Sequence, residues 1–334
     1  MKTLLSVLLV GWVVLGVFAD DAAITTQSGN IQIVQGSSST ISIESEDLSL
    51  YLNKNSVHVT EYYILKNWGS DQTVTVGFPE ALSNMYKEAK VSPENETITG
   101  FSSSIDGASV PITTLPDDKV LGSGKIVIKR WFVKEISFRP GEVKSVQVDY
   151  DTVYEVHPTA FYDVVYFYGT ASSWKDGIKH FTVRVYNPAE LWIFGLIGGV
   201  NYYSDTNAAA AGTLAFNIRQ ESGDFIEVEQ SNVKPAITDA LLLTAGAAPA
   251  FIQDLGDAQA PPVSKESLAL MTQGQLRIMR NWFYAVHGMI FKSRDLADYF
   301  ASFHYNPQFD NVDRFLTQDD KNSIELIKTF ETAK

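Results

Sequence analysis

The chain has no cysteine among its 334 residues. That excludes disulfide staples, thiolate zinc sites, iron–sulfur ligation and a cysteine nucleophile. Histidine is scarce, with His58, His157, His180, His287 and His304 the whole set. None stands in a His-Glu-x-x-His pair and no two are spaced i, i+4 on a helix, so the zincin pattern fails. Cations are outnumbered: 26 Lys and Arg against 39 Asp and Glu leave a formal net charge of −13. Duplex binding needs clustered Lys and Arg to neutralise phosphates, so nucleic acid is not an expected partner. The surplus of acid reads mostly as solubility. A Gly-x-Ser-x-Gly elbow is missing too, which withdraws support from a hydrolase of that type. No repeat of fixed period emerges, against a propeller or solenoid.

Long apolar runs are confined to the start. Lys2 supplies a positive charge, Leu4 to Val17 form an apolar stretch, and Val17-Phe18-Ala19 is a small-residue cleavage site before Asp20. This predicts a signal peptide over 1–19 and an exported protein, periplasmic or extracellular. A bilayer needs about 20 apolar residues, more than this run offers. With no cysteine, a lipid-anchored mature terminus is excluded. The later run Leu191 to Val200 is also short and holds Gly195, Gly198 and Gly199. It predicts a buried strand and turn, leaving no transmembrane segment after cleavage.

What remains is rich in two kinds of pattern. From about Ile24 to Val233, β-branched and aromatic residues alternate with polar ones. Thr40 to Glu44 alternates cleanly, and Ser56 to Ile64 puts Val57, Val59 and Tyr63 among the inward positions. Thr73 to Phe78 follows the turn signal Trp68-Gly69-Ser70-Asp71, and Pro79 is expected to end that strand, with a short helix in 79–94. Lys125 to Phe132 and Lys144 to Tyr150 flank the turn Arg139-Pro140-Gly141-Glu142. Phe181 to Tyr186 and Leu214 to Arg219 continue the alternation. One face in and one out, at short spacing, predicts a mainly β fold: an antiparallel β-sandwich over 20–244. An Ala/Pro-rich stretch, 245–264, reads as a linker.

Beyond it the period becomes helical. Thr272 with Gln275 makes a capping box, Leu276, Met279, Phe283 and Val286 share one face, and Gly288 is a stop. Ser293 can cap a second helix carrying Leu296, Tyr299, Phe300 and Phe303. Asn306-Pro307 breaks it, and Thr317 can cap a third with Ile324, Ile327 and Phe330. Residues 265–334 are therefore expected to be a small three-helix domain.

Two decoys carry little. Gly122-Ser123-Gly124-Lys125 lacks the glycine and the Ser/Thr of a phosphate loop and leads into a strand, so a hairpin turn is expected. Glu44, Glu46 and Asp47 lack the ligand spacing of a calcium loop and read as solvated charges that discourage edge pairing. Asn95-Glu96-Thr97 is a glycosylation sequon, meaningful in a eukaryotic host. No metal and no cofactor is expected.

The stretch Tyr284-Ala285-Val286-His287-Gly288 resembles the signature of the YARHG domain, with Val286 at the arginine position. Leu276-Arg277-Ile278-Met279-Arg280-Asn281, Met289-Ile290-Phe291-Lys292, Tyr299-Phe300 and Asn322-Ser323-Ile324 are similar to that family as well. The strand region resembles the exported bacterial family called domain of unknown function 4424. It does so in Ile43 to Leu48, Val57 to Asn67, Val74 to Pro79, Phe138 to Glu142 and Trp174 to Ile178. Neither resemblance brings a catalytic residue; together they imply a bacterial envelope protein.

Candidate binding residues are Arg277, Arg280, Asn281, Tyr284 and His287, a cationic and aromatic stripe suited to a carboxylate-rich ligand. The competing account is internal: Arg277 and Arg280 pair with Asp295, Asp298 or Glu325, and His287, at a helix C-terminus, closes a turn. The function expected is non-enzymatic binding or scaffolding, the helical module docking to peptidoglycan or a protein. The alternative is a cell-wall hydrolase or its accessory subunit, with a carboxylate pair inside the sandwich.

Overall fold

The computed structural model describes residues 25–29, 32–35, 40–83, 97–116, 120–121, 126–156, 161–200, 217–219, 225–236, 239–246, 263–301 and 306–333. The expected signal peptide, the turn at 122–125, residues 84–94 of the expected short helix, most of the linker, and Phe303 lie outside them. Among the described residues, two-residue alternation yields eleven strands as far as Val153. They are β1 (Thr25–Gly29), β2 (Gln32–Gln35), β3 (Ile41–Leu52), β4 (Ser56–Asn67), β5 (Gln72–Ser83), β6 (Ile98–Ile105), β7 (Ala108–Ser109), β8 (Thr113–Pro116), β9 (Val120–Leu121), β10 (Ile126–Phe138) and β11 (Val143–Val153). Then come β12 (Glu155–Val156), β13 (Phe161–Phe167), β14 (Lys175–Tyr186), β15 (Trp192–Val200), β16 (Asn217–Arg219), β17 (Phe225–Val233) and β18 (Ala240–Gly246). Helices α1 (Lys265–Ala269), α2 (Gln273–Ala285), α3 (Arg294–Ala301) and α4 (Gln318–Ala333) close the chain.

The strands form two sheets. A ten-stranded sheet runs β15-β18-β13-β1-β5-β10-β8, with β12, β2 and β9 on its flanks; an eight-stranded sheet runs β16-β17-β14-β3-β4-β11-β6-β7. Their inner faces share one core, including Leu48, Val59, Leu65 and Val148 from the smaller sheet and Val76, Phe78, Ile136 and Leu243 from the larger. This is the expected sandwich. Two pairings are parallel, β1 with β13 and β3 with β14, and both join strands distant in sequence.

Pro79 does not end its strand. β5 continues to Ser83, with Pro79 opposite Trp131 of β10. On the other side, β2 pairs as far as Gly77 and β1 begins at Glu80, so no described residue of either strand pairs with Pro79. A missing N–H costs nothing where no strand waits for it. Residues 79–83, placed in a short helix by the sequence, are strand. Gly177 shows another local device. At φ +75, beside the register shift between β14 and β3, a Cβ there would stand 2.2 Å from Val233 O, so only glycine fits.

Helices α2, α3 and α4 occupy the three expected segments. Thr272 caps α2 through the predicted capping box with Gln275, and the helix ends at Ala285, before the left-handed Gly288. α2 has two working faces. Leu276, Met279 and Phe283 pack with Leu268, Met271, Leu316, Ile324 and Ile327, and with Trp192 from β15. Trp282 and Ala285 pack with Leu296 and Phe300 of α3. Leu270 joins the sandwich core. The Gln275 amide donates to Leu191 O at 3.1 Å. The helices are therefore seated on the end of the sandwich. β18 carries the sheet to Gly246, two residues into the stretch expected as linker.

Candidate functional site

The candidate residues on α2 are turned toward neighbouring helices. Arg277 Nη1 pairs with Asp295 of α3, and its Nη2 donates to Ser293 Oγ at 2.9 Å. Asp295 is held well below the usual carboxylate range, first by that hydrogen bond from Arg277. Arg280 Nε lies 2.7 Å from Glu331 Oε2 of α4. Asn281 is buried and donates to Arg277 O at 2.8 Å. Tyr284 packs, partly buried, against the α2–α4 cluster. His287 Nε2 stands 4.0 Å from Asp320 Oδ2, and its ring lies 6.0 Å from that of Phe315. The stripe thus diverges, one cation going to each neighbouring helix. Of the acids proposed as internal partners, Asp295 takes Arg277, while Glu331 rather than Glu325 takes Arg280.

An outward face begins where the stripe ends. Phe315 and Ile290 are exposed, at 38% and 41%. Phe309 links them, its ring 5.1 Å from Phe315 and its carbonyl accepting from Ile290 N at 2.7 Å. Arg314 lies over both rings, 4.6 Å from Phe315 and 5.4 Å from Phe309. His287 borders this cation–aromatic patch. Phe309, Arg314 and Phe315 were not singled out from the sequence, because no periodic pattern marks the irregular segment between α3 and α4.

Inside the sandwich lies a second polar group. Glu46 on β3 and Glu61 on β4 are both fully buried, as are Tyr63, Tyr150 and Tyr166 to within 1%. The Tyr166 hydroxyl donates to Glu46 Oε1 at 2.8 Å and lies 3.2 Å from that of Tyr63. Tyr63 in turn bonds Glu61 Oε2, and Tyr150 donates to Glu61 Oε1 at 3.1 Å. Burial pushes Glu61 from its ordinary 4.5 up to about 8, against the pull of these hydroxyls and of Lys134. Lys134 of β10, also buried, donates to Ser103 Oγ at 2.5 Å, and desolvation lowers it to about 7. Two more acids make ordinary ion pairs: Glu44 lies 2.6 Å from Lys179 Nζ, and Asp47 lies 3.1 Å from Arg184.

This corrects the reading of Glu44, Glu46 and Asp47 as solvated edge charges. β3 lies in the interior of its sheet, and Glu46 has the same parity as Leu48, Leu50 and Leu52, all buried. The same signal was present for Glu61, which shares its parity with Val57, Val59, Tyr63 and Leu65. Among the described residues no group of three or more His, Asp or Glu is placed to hold a metal ion. None of their helices is long and apolar enough to cross a membrane, which says nothing of strands.

Comparison with known proteins agrees with the two resemblances. The YARHG domain model matches residues 253–332, and the model for Domain of unknown function (DUF4424) matches residues 19–125. No curated protein matches the chain. Among solved structures, a Legionella pneumophila protein described as a candidate nutrient binding protein covers 92% of this chain and 99% of its own, at 18% identity and a TM-score of 0.51. That likeness shows a shared fold through both the sandwich and the helices. Leukotriene A4 hydrolase from Saccharomyces cerevisiae has a TM-score of 0.34 at 11% identity and matches over 67% of this chain and 30% of its own. An M1 zinc metallopeptidase from Deinococcus radiodurans has a TM-score of 0.30 at 13% identity, over 73% and 54%. The chain spans little more than half of these enzymes at most, and likenesses this slight carry no conclusion.

Proposed function

We propose that the protein is an exported envelope component with a non-enzymatic binding or scaffolding role, and that its helical module docks to the cell wall or to a protein there. The observation that carries this reading is the cation–aromatic patch of His287, Ile290, Phe309, Arg314 and Phe315, whose apolar members stay in contact with water. Arg277, Arg280, Asn281 and Tyr284 serve this face by fixing α2 against its neighbours, and His287 belongs to it directly. Export rests on the leader-like first 19 residues and on the two exported families the chain resembles. The name given to the Legionella relative, nutrient binding, is in keeping with a binder.

The hydrolase alternative loses ground at the carboxylates. Glu46 and Glu61 are the buried pair such an enzyme would use, yet both have no exposed surface, and tyrosine hydroxyls bond both oxygens of Glu61 and Oε1 of Glu46. A substrate needs access to the pair that cleaves it.

Cosedimentation of the full chain with insoluble peptidoglycan tests the proposal. Retention of the intact protein, lost on Phe315→Ala and weakened in the Arg277→Ala, Arg280→Ala variant, is expected for wall docking. No retention removes the wall and leaves a protein partner. Equal retention of all forms rejects this face, and release of soluble wall fragments would favour the enzyme.

A further inference from the structure

The ten-stranded sheet falls into two halves, and among the described residues one strand joins them. β15, β18 and β13 lie on one side; β5, β10 and β8 lie on the other. Between them sits β1, parallel to β13 and antiparallel to β5. Gln27 has Val165 on one side and Ala81 on the other, and Ser28 has Tyr166 and Glu80. Both edges of β1 are therefore paired. β2 follows it along the same edge of β5, from Gly77 to Thr75. Residues 25–35 thus supply an arm whose described pairings are all with strands remote in sequence. None is with β3, which comes next in the chain and lies in the other sheet.

The arm is tied to the body by four small residues, Gly36, Ser37, Ser38 and Ser39. Gly and Ser set no direction for the chain on either side of them. Fully extended, the connection from Gln35 to Thr40 reaches at most about 17 Å. An arm that leaves its own slot can therefore enter only a body held close beside it.

Without the arm, β13 and β5 would each present an unpaired edge, one strand width apart. Such edges are templates for another chain. The slot is also completed late: β1 stands near the start of the chain, whereas its other wall, β13, is reached only at Phe161. An arm that waits for its own slot competes with a neighbour's arm for the same bonds. The segment whose register suits both walls is the arm itself, and a second copy of the chain supplies it. The pairings are identical in either copy, so exchange sacrifices none of them.

We propose that two copies of this chain trade residues 25–35 and associate as a strand-exchanged dimer, each slot between β13 and β5 filled by the partner's arm. The dimer carries two helical modules, and two contacts with one surface reinforce each other through effective concentration. The exchange does not depend on what those modules bind, so it and the docking role can fail separately.

The lack of cysteine makes the test direct. Thr26 stands opposite Leu82 in the register of β1 and β5. Opposed residues of an antiparallel pair have Cα atoms about 4.5–5.5 Å apart, within the span of a disulfide. The full chain carrying Thr26→Cys and Leu82→Cys together is oxidised and run on a denaturing gel without reductant. A covalent dimer is expected, returning to single chains when reductant is added. The single variants T26C and L82C, on chains with tags of different length, should give the mixed dimer after joint refolding. T26C paired with Ser137→Cys, on the far side of β5, should not. Light scattering of the parent should give twice the mass of one chain, and a variant lacking residues 20–35 should give the mass of one. If that deletion does not fold, the two cysteine readouts decide without it. Disulfides confined to single chains, thiols that stay free in both arrangements, or equal cross-linking of the Ser137→Cys control overturns the proposal.

Discussion

At the scale of single residues, Glu61 and Lys134 give the fold a pH response of opposite sign on either side of neutrality. Glu61, raised from 4.5 to about 8, keeps its proton in the folded state across a window in which the unfolded chain has released it. Stability therefore falls as pH rises from about 4.5 to 8. Lys134, lowered from 10.5 to about 7, does the opposite: the unfolded chain holds a proton that the fold refuses between about 7 and 10.5, so stability rises across that range. The two limbs meet in a trough near pH 7 to 8. Glu61→Gln removes the falling limb, because an amide of the same shape accepts from Tyr150 and never ionises. Urea titrations at several pH values between 5 and 8 should show the variant gaining on the parent with rising pH. The slope should approach about 1.4 kcal/mol per pH unit. A constant difference across that range would show that Glu61 does not titrate there. The inward position of Glu61 was legible in the alternation of β4, yet the partners that make it tolerable were not. The hydroxyls that make burial tolerable come from Tyr150, 89 residues away, and from Tyr63, itself linked to Tyr166 at a separation of 103.

At the scale of elements, local signals performed well where the chain answers to its own neighbours. The α2 cap is such a case: Gln275 N donates to Thr272 Oγ1 at 3.2 Å, and Thr272 N donates to Gln275 Oε1 at 2.9 Å. Thr272→Ala should cost about 1 kcal/mol by losing the first of these bonds. Gln275→Ala should cost more, since the amide also reaches Leu191 O. Denaturation midpoints of the two variants give the comparison, and equal losses would show that the link to the sandwich contributes nothing. Pro79 is the opposite case. Its residue type predicts a strand end, but no described residue of β1 or β2 pairs with it, so the N–H that proline lacks leaves no bond of those pairings unmade. The candidate stripe on α2 was likewise legible as a row of side chains, while the identity of their partners, Asp295 and Glu331, depended on how three helices cross.

At the scale of the whole molecule, the helical tail is completed by the sandwich. Trp192 of β15 is 5% exposed and sits among Leu268, Leu276, Met279 and Ile327. Trp192→Ala should cost about 3–5 kcal/mol, as large-to-small changes in a core do. The loss should fall on the helices first, seen as faster proteolysis of 265–334 in the full chain than of the strands. Simultaneous loss of both regions would mean that they unfold as one unit. Periodicity alone determined the long strands, the three longer helices and where α2 starts, and that the body is a two-layer β structure; it failed at 79–83, which are strand. Each of those depends on residues a few positions apart. The tertiary structure decided which acids go inside, how the two parallel pairings close the sheets, and that a tryptophan from a strand belongs to the helical core. Those depend on groups a hundred residues apart, whose meeting is set by packing and satisfied hydrogen bonds rather than by local spacing.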